Sequence, residues 1–196
     1  MLNRWTNFRD ETSKRQAGFS LVEMLIAAAI LPVVLYAIYS MYETNMTTAT
    51  LGNKKTELQQ NARVALDFME REIRMAGYNP SCTQNCPNAI QGTSLSATDL
   101  CFIAGVNGDN TTEMVRYRFD SGAKTITRSA QPGGTDCNAL GTPEVVADDV
   151  TSLALAYDAA APELVRRVTI TITASGQAGS KTPTFTFTSD VRLRDL

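Results

Sequence analysis

From Met24 to Tyr42 the chain runs 19 residues without a charge, close to the ~20 apolar residues with which a helix crosses the hydrocarbon core of a bilayer. This run lies inside the stretch GFSLVEMLIAAAILPVVLYAIYSMY, residues 18–42, and Lys14 and Arg15 stand just before it. Basic residues in that position suit the cytoplasmic side of a membrane. One acid, Glu23, sits among Leu21, Val22, Leu25 and Ile26. A carboxylate in lipid costs roughly 2–3 kcal/mol on insertion scales, so Glu23 is a functional candidate whose partner must be found. Pro32 removes an amide from the helical ladder and predicts a kink or a local loosening there.

Past Tyr42 the polarity changes, but helix formers continue. Leu58, Ala62, Ala65, Met69, Ile73 and Ala76 recur at steps of three and four, one face of a helix, and Leu66 widens the stripe. Asp67 with Arg71, and Glu70 with Arg74, are acid-to-base pairs in the favourable i,i+4 order on a face read as solvated or as a subunit-facing rim. Gly77 is placed to end the helix and Pro80 to prevent its resumption. The stretch TNMTTATLGN, residues 44–53, is the thin part of the pattern, with Gly52 a weak point. A continuous helix over 19–76 would be about 87 Å long at 1.5 Å per residue.

Residues 78–196 have a different grain, with short alternating runs broken by turn residues. Val115, Tyr117 and Phe119 alternate with Arg116 and Arg118. The turn Asp120-Ser121-Gly122 and the run Lys124 to Arg128 follow, which together predict a hairpin. Further strands are expected at Asp99 to Ala104, around Leu153, Leu155 and Tyr157, around Val168, Ile170 and Ile172, and around Phe185 and Phe187, continuing to Val191 and Leu193. Segments 105–112 and 129–143 read as loops. A long helix followed by an antiparallel β-sheet domain is an α+β architecture.

Gly18, Phe19, Ser20, Leu21, Val22, Glu23, Met24, Leu25 and Ile26 resemble the cleavage and methylation motif of type IV prepilins and type II secretion pseudopilins. The resemblance implies that a membrane aspartyl peptidase cuts between Gly18 and Phe19 and that Phe19 is then N-methylated. Residues 1–18 would be a leader, 19–42 a membrane and assembly helix, 43–77 an amphipathic periplasmic continuation, and 78–196 a periplasmic β domain. The segment NARVALDFMEREIRMAGY, residues 61–78, looks like PilW-type minor pilins. VRYRFDSGAKTITR and VADDVTSLALAYD are also similar to J-type pseudopilins. The implied fold is pilin-like, and the implied role is that of a minor pilin starting a type IV pilus. A J-like secretion pseudopilin and a surface-binding tip subunit, for adhesion or DNA uptake, are the alternatives. The implied partners are the prepilin peptidase and methyltransferase, other minor pilins, the major pilin and the inner-membrane assembly platform. The resemblance also gives Glu23 a partner, the N-terminal amine of Phe19 in a neighbouring subunit.

Taking the leader's four basic and two acidic residues from totals of 18 and 20 leaves 14 and 18, a net charge of −4. That gives no hint of a nucleic-acid surface. A secretory signal would be cut after its apolar run and discarded, whereas here the apparent cut precedes the run. The four cysteines, Cys82, Cys86, Cys101 and Cys137, all lie beyond the apolar run, on the side expected to be periplasmic and oxidising. Four cysteines allow three pairings. The preferred one is Cys82 with Cys86, on one short loop after the helix, and Cys101 with Cys137. With no histidine in the chain, Ser-His-Asp and Cys-His catalysis are excluded, and no glycine-rich phosphate loop occurs. Neither a catalytic residue, a cofactor nor a metal is expected. Asp148 and Asp149, together with Asp99, Asp109 and Asp120, read as solvated turn acids rather than a calcium site.

Overall fold

The computed structural model describes residues 18–78, 88–92, 95–105 and 111–193. Cys82, Cys86, Pro80 and Asp109 lie outside them, as do the leader residues before Gly18. One helix, α1 (Leu21–Arg74), runs without interruption through Pro32 and Gly52. The chain divides into two compact units, Met1–Met46 and Thr47–Leu196.

In the second unit the predicted stripe is the interior face of the helix. Leu58, Ala62, Ala65, Leu66, Met69 and Ile73 are all buried, as is Ala76 just beyond the helix end. Of the two predicted surface pairs, Glu70 and Arg74 approach to 3.8 Å. The helix ends as its sequence foretells. The amides of Met75 and Ala76 close short turns on the carbonyls of Glu72 and Ile73, and Gly77 takes φ 83°, a conformation glycine adopts at no steric cost. Its amide then bonds the Ile103 carbonyl at 2.8 Å, while Gly105 bonds back to Tyr78 at 3.0 Å. The helix is thereby stitched at once to a strand.

Two antiparallel sheets follow. The first has the order β1-β2-β3-β4-β5, with β1 (Ile90–Gln91), β2 (Asp99–Ala104), β3 (Glu113–Asp120), β4 (Thr125–Pro132) and β5 (Glu144–Ala147). The second has the order β6-β7-β8, with β6 (Val150–Tyr157), β7 (Arg167–Ser175) and β8 (Thr184–Arg192). Phe102, Val115, Tyr117 and Ile126 from the first sheet and Val150, Val168, Ile170 and Ile172 from the second join the helix stripe in one core. The hairpin of β3 and β4 turns where predicted: Asp120 accepts from the amides of Gly122 and Ala123 at 2.8 and 3.0 Å. Those amides, Ala123 first, hold the Asp120 carboxyl below its usual range.

Three expectations need correction. Residues 129–132 are not loop: they continue β4, pairing with β3 from Arg116↔Ser129 to Glu113↔Pro132, because β3 offers a partner edge that the segment's own sequence does not announce. Of the acids read as solvated turn residues, Asp148 is exposed in a bend as expected, whereas Asp149 is half-buried and ion-paired. They form the crossover between the sheets, with Asp149 at φ 54°, a left-handed conformation that Asp tolerates through local hydrogen bonding. Both are bound to the helix: Lys54 Nζ donates to Asp149 Oδ2 at 2.7 Å, and Asn61 Nδ2 donates to Asp148 Oδ1 at 2.6 Å. Nor is Asp99 a loop acid; it opens β2 and is paired with Arg116.

Cys101 on β2 is bonded to Cys137 in the segment after β4, with a Cα–Cα separation of 6.1 Å. Arg116, opposite Cys101 in the β2–β3 register, donates from Nη1 to the Cys137 carbonyl at 2.9 Å and from Nε to Asp99 at 2.8 Å. Replacing Cys101 and Cys137 together with alanine is expected to lower stability by about 2–4 kcal/mol. A denaturant midpoint unchanged from the parent chain would refute that.

Candidate functional site

The described part of the N-terminal unit is residues 18–46. Phe19 is 82% exposed. Ser20 precedes the first helical residue, and its carbonyl takes the first helical bond, from Met24 N at 3.1 Å. The Ser20 amide in turn donates to Glu23 Oε2 at 3.2 Å. Ser20 and Glu23 thus occupy the N-cap and N3 positions, and the acid reaches back to the Ser20 amide, one half of a capping box. Glu23 defines where the helix begins, in addition to placing a charge in an apolar run.

Gly18 carries a second message. A Cβ built there meets nothing within 4 Å, and its φ is not in the left-handed region. The fold of this chain therefore does not ask for glycine at position 18. Beyond it, Leu21, Val22, Leu25 and Ile26 are 54–75% exposed, and the apolar side chains continue exposed to Tyr42. The helix is long and apolar enough to cross a membrane, and a helix apolar on every side needs lipid or other helices around it. Pro32 lies within it. Polarity returns where Tyr39 donates to Glu43 at 2.9 Å and Thr44 donates to the Ser40 carbonyl at 2.9 Å.

A polar cluster in the second unit holds a residue the sequence reading passed over. Glu72 is 7% exposed. Tyr117 Oη donates to its Oε2 at 2.6 Å, Arg128 Nη2 to Oε1 at 2.7 Å, and Arg128 Nε to Oε2 at 2.9 Å. The Arg128 guanidinium also lies 5.8 Å over the Phe68 ring. Burial would lower the Arg128 pKa, but the hydrogen bonds and charge of Glu72 outweigh it, and the net shift is upward. Burial, then the Glu72 charge, push the Tyr117 hydroxyl far above its usual range. The signal was available: positions 58, 62, 65, 69, 72 and 76 step by four and three without a break, so Glu72 occupies a core register. An acid there requires a buried partner.

Among the described residues no group of three or more acids, cysteines or histidines could hold a metal ion. Gly18, Phe19 and Glu23 come together at one helix start, and Cys101 and Cys137 are joined, while Cys82 and Cys86 lie outside the described residues.

The comparisons with known proteins address both units. The prokaryotic N-terminal methylation motif matches residues 13–35. The family described as prepilin peptidase-dependent protein B matches residues 52–193, which is 142 of the 196 residues. No curated protein and no solved structure matches the chain. With a capped apolar helix behind an exposed glycine, a helix-on-sheet domain and most of its length matched, the chain belongs to the prepilin peptidase-dependent protein B family, as a pilin-like protein bearing the N-methylation motif.

Proposed function

We propose that this chain is a minor pilin. It is cut between Gly18 and Phe19, methylated on Phe19, and held in the inner membrane by residues 19–42 with residues 43–196 in the periplasm. It is then drawn with other minor pilins into the tip or priming complex that starts a type IV pilus. The observation that carries this reading is the helix start: an exposed glycine and aromatic, then a half capping box made by the one acid of the apolar run. The peptidase and methyltransferase, the assembly platform and the major pilin are the partners this role implies.

Glu23 has two tasks in this scheme. In the single chain its carboxylate satisfies the Ser20 amide. In a filament, where apolar helices bundle, a buried carboxylate needs a counter-charge, and the Phe19 amine of a neighbouring subunit supplies it. Meanwhile Leu21, Val22, Leu25 and Ile26 exchange lipid for helix contact.

Two substitutions separate the tasks. Glutamine can complete a capping box but cannot neutralise an ammonium; alanine can do neither. Both variants should insert in the membrane, since the lone acid is what lipid penalises. Both should fall out of purified filaments by tenfold or more, because an unpaired buried charge costs about 3–5 kcal/mol. The readout is this chain per filament by quantitative mass spectrometry, taken beside the methylation state of Phe19. If Glu23→Gln incorporates normally while methylated, the pairing model is wrong and Glu23 serves the helix cap.

A further inference from the structure

The edge of a sheet presents a row of unpaired amides and carbonyls, a template for another strand. Three of the four edges here are short or occupied. β1 has two residues, and β5 has four that meet β4 across a register shift. The free side of β6 is met by other parts of the chain: Leu155 N bonds the Ala97 carbonyl at 2.8 Å and Val150 N bonds the Lys124 carbonyl at 2.9 Å.

β8 differs. It has nine residues, Thr184–Arg192, without proline or lysine, and pairs with β7 without a bulge. Gly176 N bonds the Pro183 carbonyl and Leu193 N bonds the Arg166 carbonyl. Antiparallel ladders bond at alternate positions, so the odd-numbered residues of β8 face β7. The backbone groups of Thr184, Thr186, Thr188, Asp190 and Arg192 therefore point away from the sheet, and among the described residues none of them has a backbone partner. Their side chains are tied down on the exposed face: Thr186 lies 3.2 Å from Thr173, and Thr188 lies 3.2 Å from Thr171. On the other face Phe185 and Phe187 are half-buried at the margin of the core, with the Arg63 guanidinium 5.7 Å over the Phe187 ring.

We propose that the free edge of β8 takes up an extended segment of another pilin-like subunit as a fourth strand of the β6-β7-β8 sheet. This rests on the filament reading above. The chemistry selects a polypeptide: only a backbone offers amides and carbonyls alternating at the strand repeat of about 6.8 Å. The incoming strand carries apolar residues beside Phe185 and Phe187 and small or hydroxyl residues beside the threonines. A second copy offering its own β8 fits poorly. Identical strands pair antiparallel in one sheet only about a two-fold axis normal to it, which reverses the helix packed on that sheet, whereas subunits of one filament share a helix direction.

The test uses the full chain in piliated cells, with a photo-crosslinking phenylalanine at position 186 or, as a control on the same face, at position 171 of the central strand. The expected result is an adduct with a different pilin-like subunit at position 186, at least fivefold stronger than at 171. Thr188→Pro removes an outward amide and leaves the bonds to β7 intact; it should abolish the adduct and cut filament incorporation tenfold. Thr188→Val keeps the backbone and should behave as the parent. If the proline variant fails to fold, Thr188→Lys, which charges the edge and leaves position 186 free for the crosslinker, must give the same loss. Equal adducts at 186 and 171, an adduct only with a second copy, or proline and lysine variants that incorporate normally each overturn strand addition. The last of these leaves the filament reading intact, while absence of the parent chain from filaments refutes that reading itself.

Discussion

Replacing Glu72 with alanine is expected to destabilise the helix-and-sheet unit by about 3–5 kcal/mol, the usual cost of leaving a buried charge without its partner. The Arg128 guanidinium would lose every carboxylate bond it makes to the helix, and the Tyr117 hydroxyl would lose its acceptor. Because a domain of this size is held by roughly 5–15 kcal/mol, such a loss takes a large share of the total. The double variant Glu72→Met with Arg128→Met should recover most of it, since paired charges replaced together by apolar groups of similar volume are often near neutral. Denaturant unfolding of the single and double variants measures both. A loss below about 1 kcal/mol for the alanine variant, a value typical of exposed pairs, would mean the pair is solvated.

Gly18→Val should abolish maturation altogether, with the membrane fraction holding only full-length precursor. The structure makes this substitution informative because it isolates the cause. No atom lies within 4 Å of a Cβ at position 18, and the half capping box begins two residues later, so valine leaves the chain's own fold untouched. What it obstructs is an enzyme that must approach the backbone closely, where glycine leaves most room. Gly18→Ala, with a single methyl, should be cut partially. Intact-mass measurement decides the matter: a Gly18→Val chain beginning at Phe19 would show that the peptidase does not read this glycine.

The sequence discloses elements to the extent that each is specified locally. The helix, its buried stripe and its stop at Gly77 are written in spacing and in one glycine. The β3–β4 turn is written in Asp120-Ser121-Gly122, and β7 in a strict alternation of Val168, Ile170 and Ile172 with threonines. What could not be read depends on partners distant in sequence. β1 and β5 are too short to carry a pattern, and the tail of β4 is a strand only because β3 lies beside it. The division into two sheets turns on Asp148 and Asp149, whose role is set by Lys54 and Asn61 more than 80 residues earlier. Glu72 stood in plain view at a core register, but its meaning required Arg128 and Tyr117. At the N-terminal unit the motif residues were legible one by one, and the half capping box joining Ser20 to Glu23 is a geometry that the apolar run concealed.

The ties at Lys54, Asn61 and Glu72 sit about 10 and 16 Å apart along the helix axis, at 1.5 Å per residue. Two reach the crossover between the sheets and one reaches β3 and β4. A pull applied along the helix axis must then slide the helix past both sheets, straining all three ties and the packed stripe between them at once. Bonds strained together in shear resist far more than bonds peeled open one after another. The globular unit is thus fastened against tension applied along its own helix.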